Sequence, residues 1–238
     1  MKIDPARHIG AVRREVAARD HEGRPAHAVV ASRTYDTTVE DLWDAITSPE
    51  RIPRWFLPVS GDLRPGGRYQ LEGNAGGRID RCDPPHLLAV TWEYGGQVSW
   101  LEVRLAEDPA GGASLRLEHV APVDEHWERF GPGAAGVGWD MALAGLDRHL
   151  SDGAAVDPAE AAAWMASDQG KDFVRSSSEA WGRASIESGA DAAEARAASE
   201  RTTAAYTGAP VASEGPGDSA GRAPGGSGGY ASDPGGGD

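Results

Sequence analysis

The chain has 238 residues, with 37 acidic side chains against 23 basic ones and a net charge of −14. A surface of that sign repels phosphate backbones and anionic lipid heads, which argues against nucleic acid and membrane partners. No apolar run approaches the roughly 20 residues that span a bilayer, and the start, MKIDPARHIGAVRREV, has no apolar signal core, so a cytoplasmic protein is expected.

Residues 11–19 and 26–35 alternate polar and apolar side chains around the turn residues Asp20–Arg24. That pattern predicts a hairpin arm joining a sheet, within a segment 1–28. A helix over Arg7–Ala18 is the competing reading, because Ile9, Val12 and Val16 also fit helical spacing. Thr38 then caps a helix through VEDLWDAI, whose Val39, Leu42, Trp43 and Ile46 share a face. Pro49 ends it, and SPERIPRWF predicts a second short helical turn.

Strands are predicted over Leu57–Leu63 and Arg68–Glu72, around the turn Pro65-Gly66-Gly67, and over Arg78–Cys82. Asp83-Pro84-Pro85 breaks the sheet before the strand Leu87–Tyr94. Gly95-Gly96 makes a tight hairpin with Val98–Ala106, and Asp108–Gly112 turns into the last strand, Ser114–Ala121. Pro122–Gly133 reads as irregular. Residues 134–150 read as one helix with Val137, Met141, Leu143, Leu146 and Leu150 on its apolar side.

Beyond it the composition changes. Residues 157–206 are rich in alanine and predict helices over about 157–168, 171–188 and 191–206, with Phe173, Ala180, Trp181 and Ala184 on one stripe. An isolated alanine-rich helix is marginal in water, so this extension, 152–206, is expected to dock on the main domain or on a second copy, as a homodimer interface. The last 32 residues, Thr207–Asp238, hold 11 glycines and several X-Pro steps. Such a tail cannot bury enough apolar surface to order itself and is expected to be disordered.

The residues thus predict an α+β fold: a curved antiparallel sheet wrapped around the helix ending at Leu150, with a hollow between them. The order of VEDLWDAITSPERIPRWF, GDLRPGGRYQLEG, DPPHLLAVTWEY, LRLEH and GWDMALAGLDRHL resembles the Bet v 1-like (START, or SRPBCC) superfamily. Within it the chain is similar to the bacterial branch named for the activator of heat-shock protein 90 ATPase. The resemblance covers about 29–151 and implies a helix-grip fold whose cavity takes an apolar or amphipathic small molecule.

Strand parity puts Val90, Trp92 and Tyr94 on one cavity wall and Leu115, Leu117 and His119 on another. Met141 and Leu146 from the long helix, and Trp55 and Phe56 from the short one, are candidates to close it; Tyr69 offers a hydroxyl. The competing reading is that these residues fill a solid core. His119, inward among leucines, must find a hydrogen-bond partner or orient a ligand carbonyl. The acidic run EHVAPVDEHWE has no zinc spacing and reads as a surface loop, no nucleophile elbow occurs, and Cys82, the single cysteine, reads as structural. No cofactor or metal is therefore expected.

Three functions remain open. The first is a non-enzymatic protein enclosing an apolar or amphipathic small molecule. The second, resting on the branch name, is a partner of a chaperone. The third is a polyketide cyclase or hydrolase using the same cavity, with His119 as its acid or base.

Overall fold

Local signals account for most of the elements. In the computed structural model, which describes residues 4–153 and 155–209, the Asp4 carboxylate accepts from the N–H groups of Ala6 and Arg7 and caps the short helix α1 (Pro5–Gly10). Strands β1 (Arg13–His21) and β2 (Arg24–Tyr35) follow, joined at Glu22 and Gly23, whose φ angles of 53° and 78° suit a two-residue hairpin turn. The N-terminus is thus a brief helix and then a hairpin. The longer helix over Arg7–Ala18 does not form. The Arg14 guanidinium turns inward from β1 and bonds the carbonyls of Ile9 and Val12.

Helix α2 (Val39–Thr47) is capped by Thr38 and buries Val39, Leu42 and Ala45; α3 (Ile52–Trp55) is the expected short turn. Strand β3 (Val59–Gly61) is shorter than the predicted 57–63. Its continuation folds into a turn in which Arg64 N–H donates to the Asp62 carbonyl and Gly67 N–H to that of Arg64. Strands β4 (Arg68–Leu71), β5 (Gly76–Asp83), β6 (Leu87–Tyr94), β7 (Gln97–Glu107) and β8 (Ala113–Pro122) complete one antiparallel sheet. Its order is β1-β2-β8-β7-β6-β5-β4-β3.

The segment expected to be irregular, Pro122–Gly133, contains the helix α4 (Glu125–Phe130), with Asp124 accepting from Trp127 N–H at 2.8 Å. Pro122 and the Gly131-Pro132 pair bracket it so closely that no hydrophobic period is visible. The long helix α5 (Gly133–Asp152) crosses the concave face of the sheet, and α6 (Pro158–Ala166), α7 (Asp168–Glu187) and α8 (Ala192–Thr207) pack behind it. This is the helix-grip arrangement. The tail, expected to be disordered, lies outside the described residues from 210 onward. No helix among the described residues is long and apolar enough to cross a membrane.

Register makes the inner face of the sheet greasy. Leu101 lies opposite His119, Val103 opposite Leu117 and Leu105 opposite Leu115. Alternate residues point outward and pair as ions, Arg19 and Arg116 with Glu118, and Arg104 with Glu102. Partly exposed pairs of this kind contribute little stability.

Helix α5 is buried on two sides. One side, Trp139, Ala142, Leu143 and Leu146, faces the sheet. The other carries Gly136, Asp140 and Ala144, one turn apart, and meets the extension. At Gly136 a Cβ would overlap the Trp181 indole, so the missing side chain is what lets α7 approach. Asp140 accepts from Arg14 Nε (3.0 Å), Ser177 Oγ (2.5 Å) and Trp181 Nε1 (3.1 Å). Burial pushes the Asp140 pKa up, while Arg14 and the two neutral donors pull it back. One carboxylate therefore ties β1, α5 and α7 together.

Candidate functional site: a hollow between sheet and helix

The inner face of the sheet and the sheet-facing side of α5 do not close fully. Between them lies a cavity of about 170 Å³. The sheet contributes Leu88, Val90 and Trp92 from β6, Leu101 and Val103 from β7, and Leu115 and Leu117 from β8. Helix α5 contributes Trp139, Ala142, Leu143 and Leu146, while Ile46 and Thr47, and Ile52, Trp55 and Phe56, close one end. Val59, Leu63, Tyr69, Leu71, Ile79 and Cys82 complete the wall from β3 to β5.

The wall is chemically quiet. Among the described residues, no charged side chain and no histidine lines it. The Tyr69 hydroxyl donates to the Thr91 carbonyl at 2.8 Å and Thr47 Oγ1 to the Trp43 carbonyl at 2.7 Å. The indole N–H groups of Trp55 and Trp139 donate to the Ala45 carbonyl and to His119 Nδ1. Burial pushes both the Tyr69 phenol and the Cys82 thiol up, so each stays neutral at ordinary pH. A space of this size, lined this way, is comparable to an apolar protein cavity of about 150 Å³ that stays dry and accepts benzene.

Of the residues predicted to line the hollow, Trp55, Phe56, Tyr69, Val90, Trp92, Leu115, Leu117 and Leu146 are brought together around it. Three are not. Tyr94 has the right parity but ends β6 at the hairpin tip, is 38% exposed and does not line the hollow. Met141 lies on the far side of α5, packed with Ala144 of the same helix and with Trp164 and Phe173 of the extension. His119 is inward and buried but separated from the hollow by the rings of Trp92 and Trp139, at 6.1 and 5.7 Å between centroids.

His119 also has no hydrogen-bonding capacity left for a ligand. An indole N–H can only donate, so the bond from Trp139 Nε1 to His119 Nδ1 (3.1 Å) makes Nδ1 the acceptor. The neutral ring then carries its proton on Nε2, 2.7 Å from Ser99 Oγ, and donates it there. The serine proton goes to the Trp92 carbonyl, 3.1 Å away. Burial lowers the His119 pKa to about 4, which keeps this tautomer at neutral pH. A histidine beside a serine thus has the polarity opposite to a catalytic pair, because the histidine donates and the serine has no base.

The acidic run EHVAPVDEHWE is divided by the same geometry: Glu118 faces outward to Arg19 and Arg116, His119 faces inward, and Asp124 caps α4. Residues missed from sequence had usable signals. Leu101 and Val103 follow from strand parity in β7. Trp139, Ala142 and Leu143 precede Leu146 by seven, four and three residues, the spacing of one helical face.

Two comparisons place this architecture among known proteins. The family described as "Activator of Hsp90 ATPase homolog 1-like protein" matches residues 36–151. The crystal structure of CalU16 from Micromonospora echinospora shares 33% identity over 73% of this chain and 98% of its own, with a TM-score of 0.56. Its solution structure aligns at 34% identity over 75% of this chain and 97% of its own, with a TM-score of 0.61. That likeness extends past the family match into the flanking segments. No curated protein matches the chain.

Proposed function

Because the chain belongs to the activator of Hsp90 ATPase homolog 1-like family, within the SRPBCC (Bet v 1-like) superfamily, we propose that it is a non-catalytic binding protein for a compact, uncharged, apolar molecule of one or two rings. The observation that carries this reading is the wall: about 170 Å³ of space bounded by aliphatic and aromatic side chains, with the Tyr69, Thr47, Trp55 and Trp139 donors already spent on the protein. A ligand carboxylate placed there would be left without a partner, and an unpaired buried charge costs far more than apolar contact returns. The Ser99–His119 polarity supports binding over hydrolysis.

The reading is tested by titrating the full chain with naphthalene and with 2-naphthoate. Naphthalene is expected to bind at least about 100-fold more tightly than the carboxylate, and Ala142→Leu, which fills the space, to abolish its binding. Equal affinity for the two probes, or unchanged binding in the variant, overturns the proposal. Stimulation of the host chaperone's ATPase by a protein that takes up neither probe would replace it with the co-chaperone reading.

A further inference from the structure

Behind the aromatic partition lies a second concavity with different chemistry. Trp92 is shared: one side of it bounds the apolar hollow, and the other bounds a cleft of about 320 Å³. Trp92 and Trp139 meet edge-on at 5.1 Å, and the bond from Trp139 to His119 holds the partition in place. The cleft runs from the β6–β7 hairpin tip to α4.

Its lining combines aromatic faces with one formal charge. Tyr94, Trp92 and Trp127 supply rings, Ser99 and Gln97 supply polar side chains, and Asp124 supplies a carboxylate. Neither lysine nor arginine lines it among the described residues. Arg129, on the same short helix, lies over the Phe130 ring at 5.2 Å instead. The two lining histidines add no positive charge at neutral pH, since burial lowers both His119 and His126. Asp124 is oriented because its Oδ1 accepts from Trp127 N–H at 2.8 Å. Trp127 is held in turn by His27, stacked on it at 4.4 Å and 7°.

An ammonium group is attracted to the faces of tryptophan and tyrosine, and a neighbouring carboxylate reinforces that attraction while excluding anions. The net charge of −14 raises the local concentration of cations around the whole molecule. We infer that the cleft formed by Tyr94, Trp92, Trp127 and Asp124 is a second binding site, for an organic ammonium carried on an apolar or aromatic body. It is independent of the apolar hollow, whose lining refuses charge, and the shared Trp92 wall makes occupancy of either space visible from one indole.

The test uses benzylammonium and its neutral counterpart, benzyl alcohol, titrated into the isotopically labelled full chain and followed by backbone and indole N–H shifts. Benzylammonium is expected to bind about tenfold more tightly, with shifts centred on Tyr94, Ser99 and Trp127. Asp124→Asn keeps an N-cap oxygen, so α4 stays formed, but is expected to reduce the two affinities to within about twofold of each other. Tyr94→Leu, at an exposed hairpin tip, should weaken the cation alone. Equal affinities in the wild type, an unaltered preference in Asp124→Asn, or cation shifts centred on Val90, Leu115 and Leu117 would each overturn the inference. None of these outcomes bears on whether naphthalene enters the hollow.

Discussion

The two sides of helix α5 are built from the same twenty residues and do opposite things. Toward the extension, Gly136, Asp140 and Ala144 give up side-chain bulk so that Trp181, Ser177 and Phe173 can fill the space to contact. Toward the sheet, Trp139, Ala142, Leu143 and Leu146 leave about 170 Å³ open. Protein interiors are normally packed as densely as organic crystals, so the tolerance of a void on one side depends on firm packing on the other. The extension holds α5 where it can arch over the sheet without collapsing into it.

That comparison breaks first at Trp181. Trp181→Ala removes a wholly buried indole and the donor to Asp140 and is expected to cost about 3–5 kcal/mol, measured by urea unfolding. A comparable loss on truncating Phe56, at the cavity end, would mean that the two sides are packed alike.

His119 gives the next largest effect. Its folded pKa of about 4 lies below the ordinary 6.5, so the unfolded chain binds the extra proton first. The stabilisation is complete above pH 6.5 and lost as pH falls from 6.5 toward 4, an amount of about 3 kcal/mol. The difference in unfolding free energy between pH 7 and pH 4.5 should be about 2 kcal/mol smaller in His119→Leu than in the wild type. Identical pH slopes would show that the ring is not held in its neutral form.

A matched pair of enlargements sharpens the contrast. Gly136→Ala forces a methyl into the Trp181 indole and is expected to destabilise by about 1–3 kcal/mol. Ala142→Leu adds more volume but points into the hollow, so its cost is expected to stay within about 0.5 kcal/mol, on the scale of a neutral substitution. Thermal melts of the two variants decide this, and a larger loss in Ala142→Leu would show that the hollow is already filled. The smallest effect belongs to the outer face, where Glu102→Gln breaks a half-exposed pair with Arg104 and should shift stability by no more than about 0.5 kcal/mol.

The sheet side of this contrast was largely legible in the sequence. Alternation in LLAVTWEY and SLRLEHVA placed Val90, Trp92, Leu115 and Leu117 on the inner face, where they are found. The parity rule failed at Tyr94 because it knows which face a residue takes but not how far along the strand the hollow extends. It placed His119 inward correctly. It could not foresee that Trp139, twenty residues later on a helix, would occupy Nδ1. Met141 was misplaced for a related reason. Apolar residues recur around nearly the whole of α5, and periodicity does not tell a side facing a cavity from one facing an extension. The helix α4 escaped because its signal is a single cap residue, Asp124, in a segment bounded by proline and glycine.

The most direct measurement is a crystal of the full chain pressurised with xenon, which enters dry apolar voids and leaves packed interfaces untouched. Xenon density is expected between Leu117 and Leu143, and none between α5 and α7. Ordered water in that space, no bound xenon, or xenon beside Trp181 would contradict it.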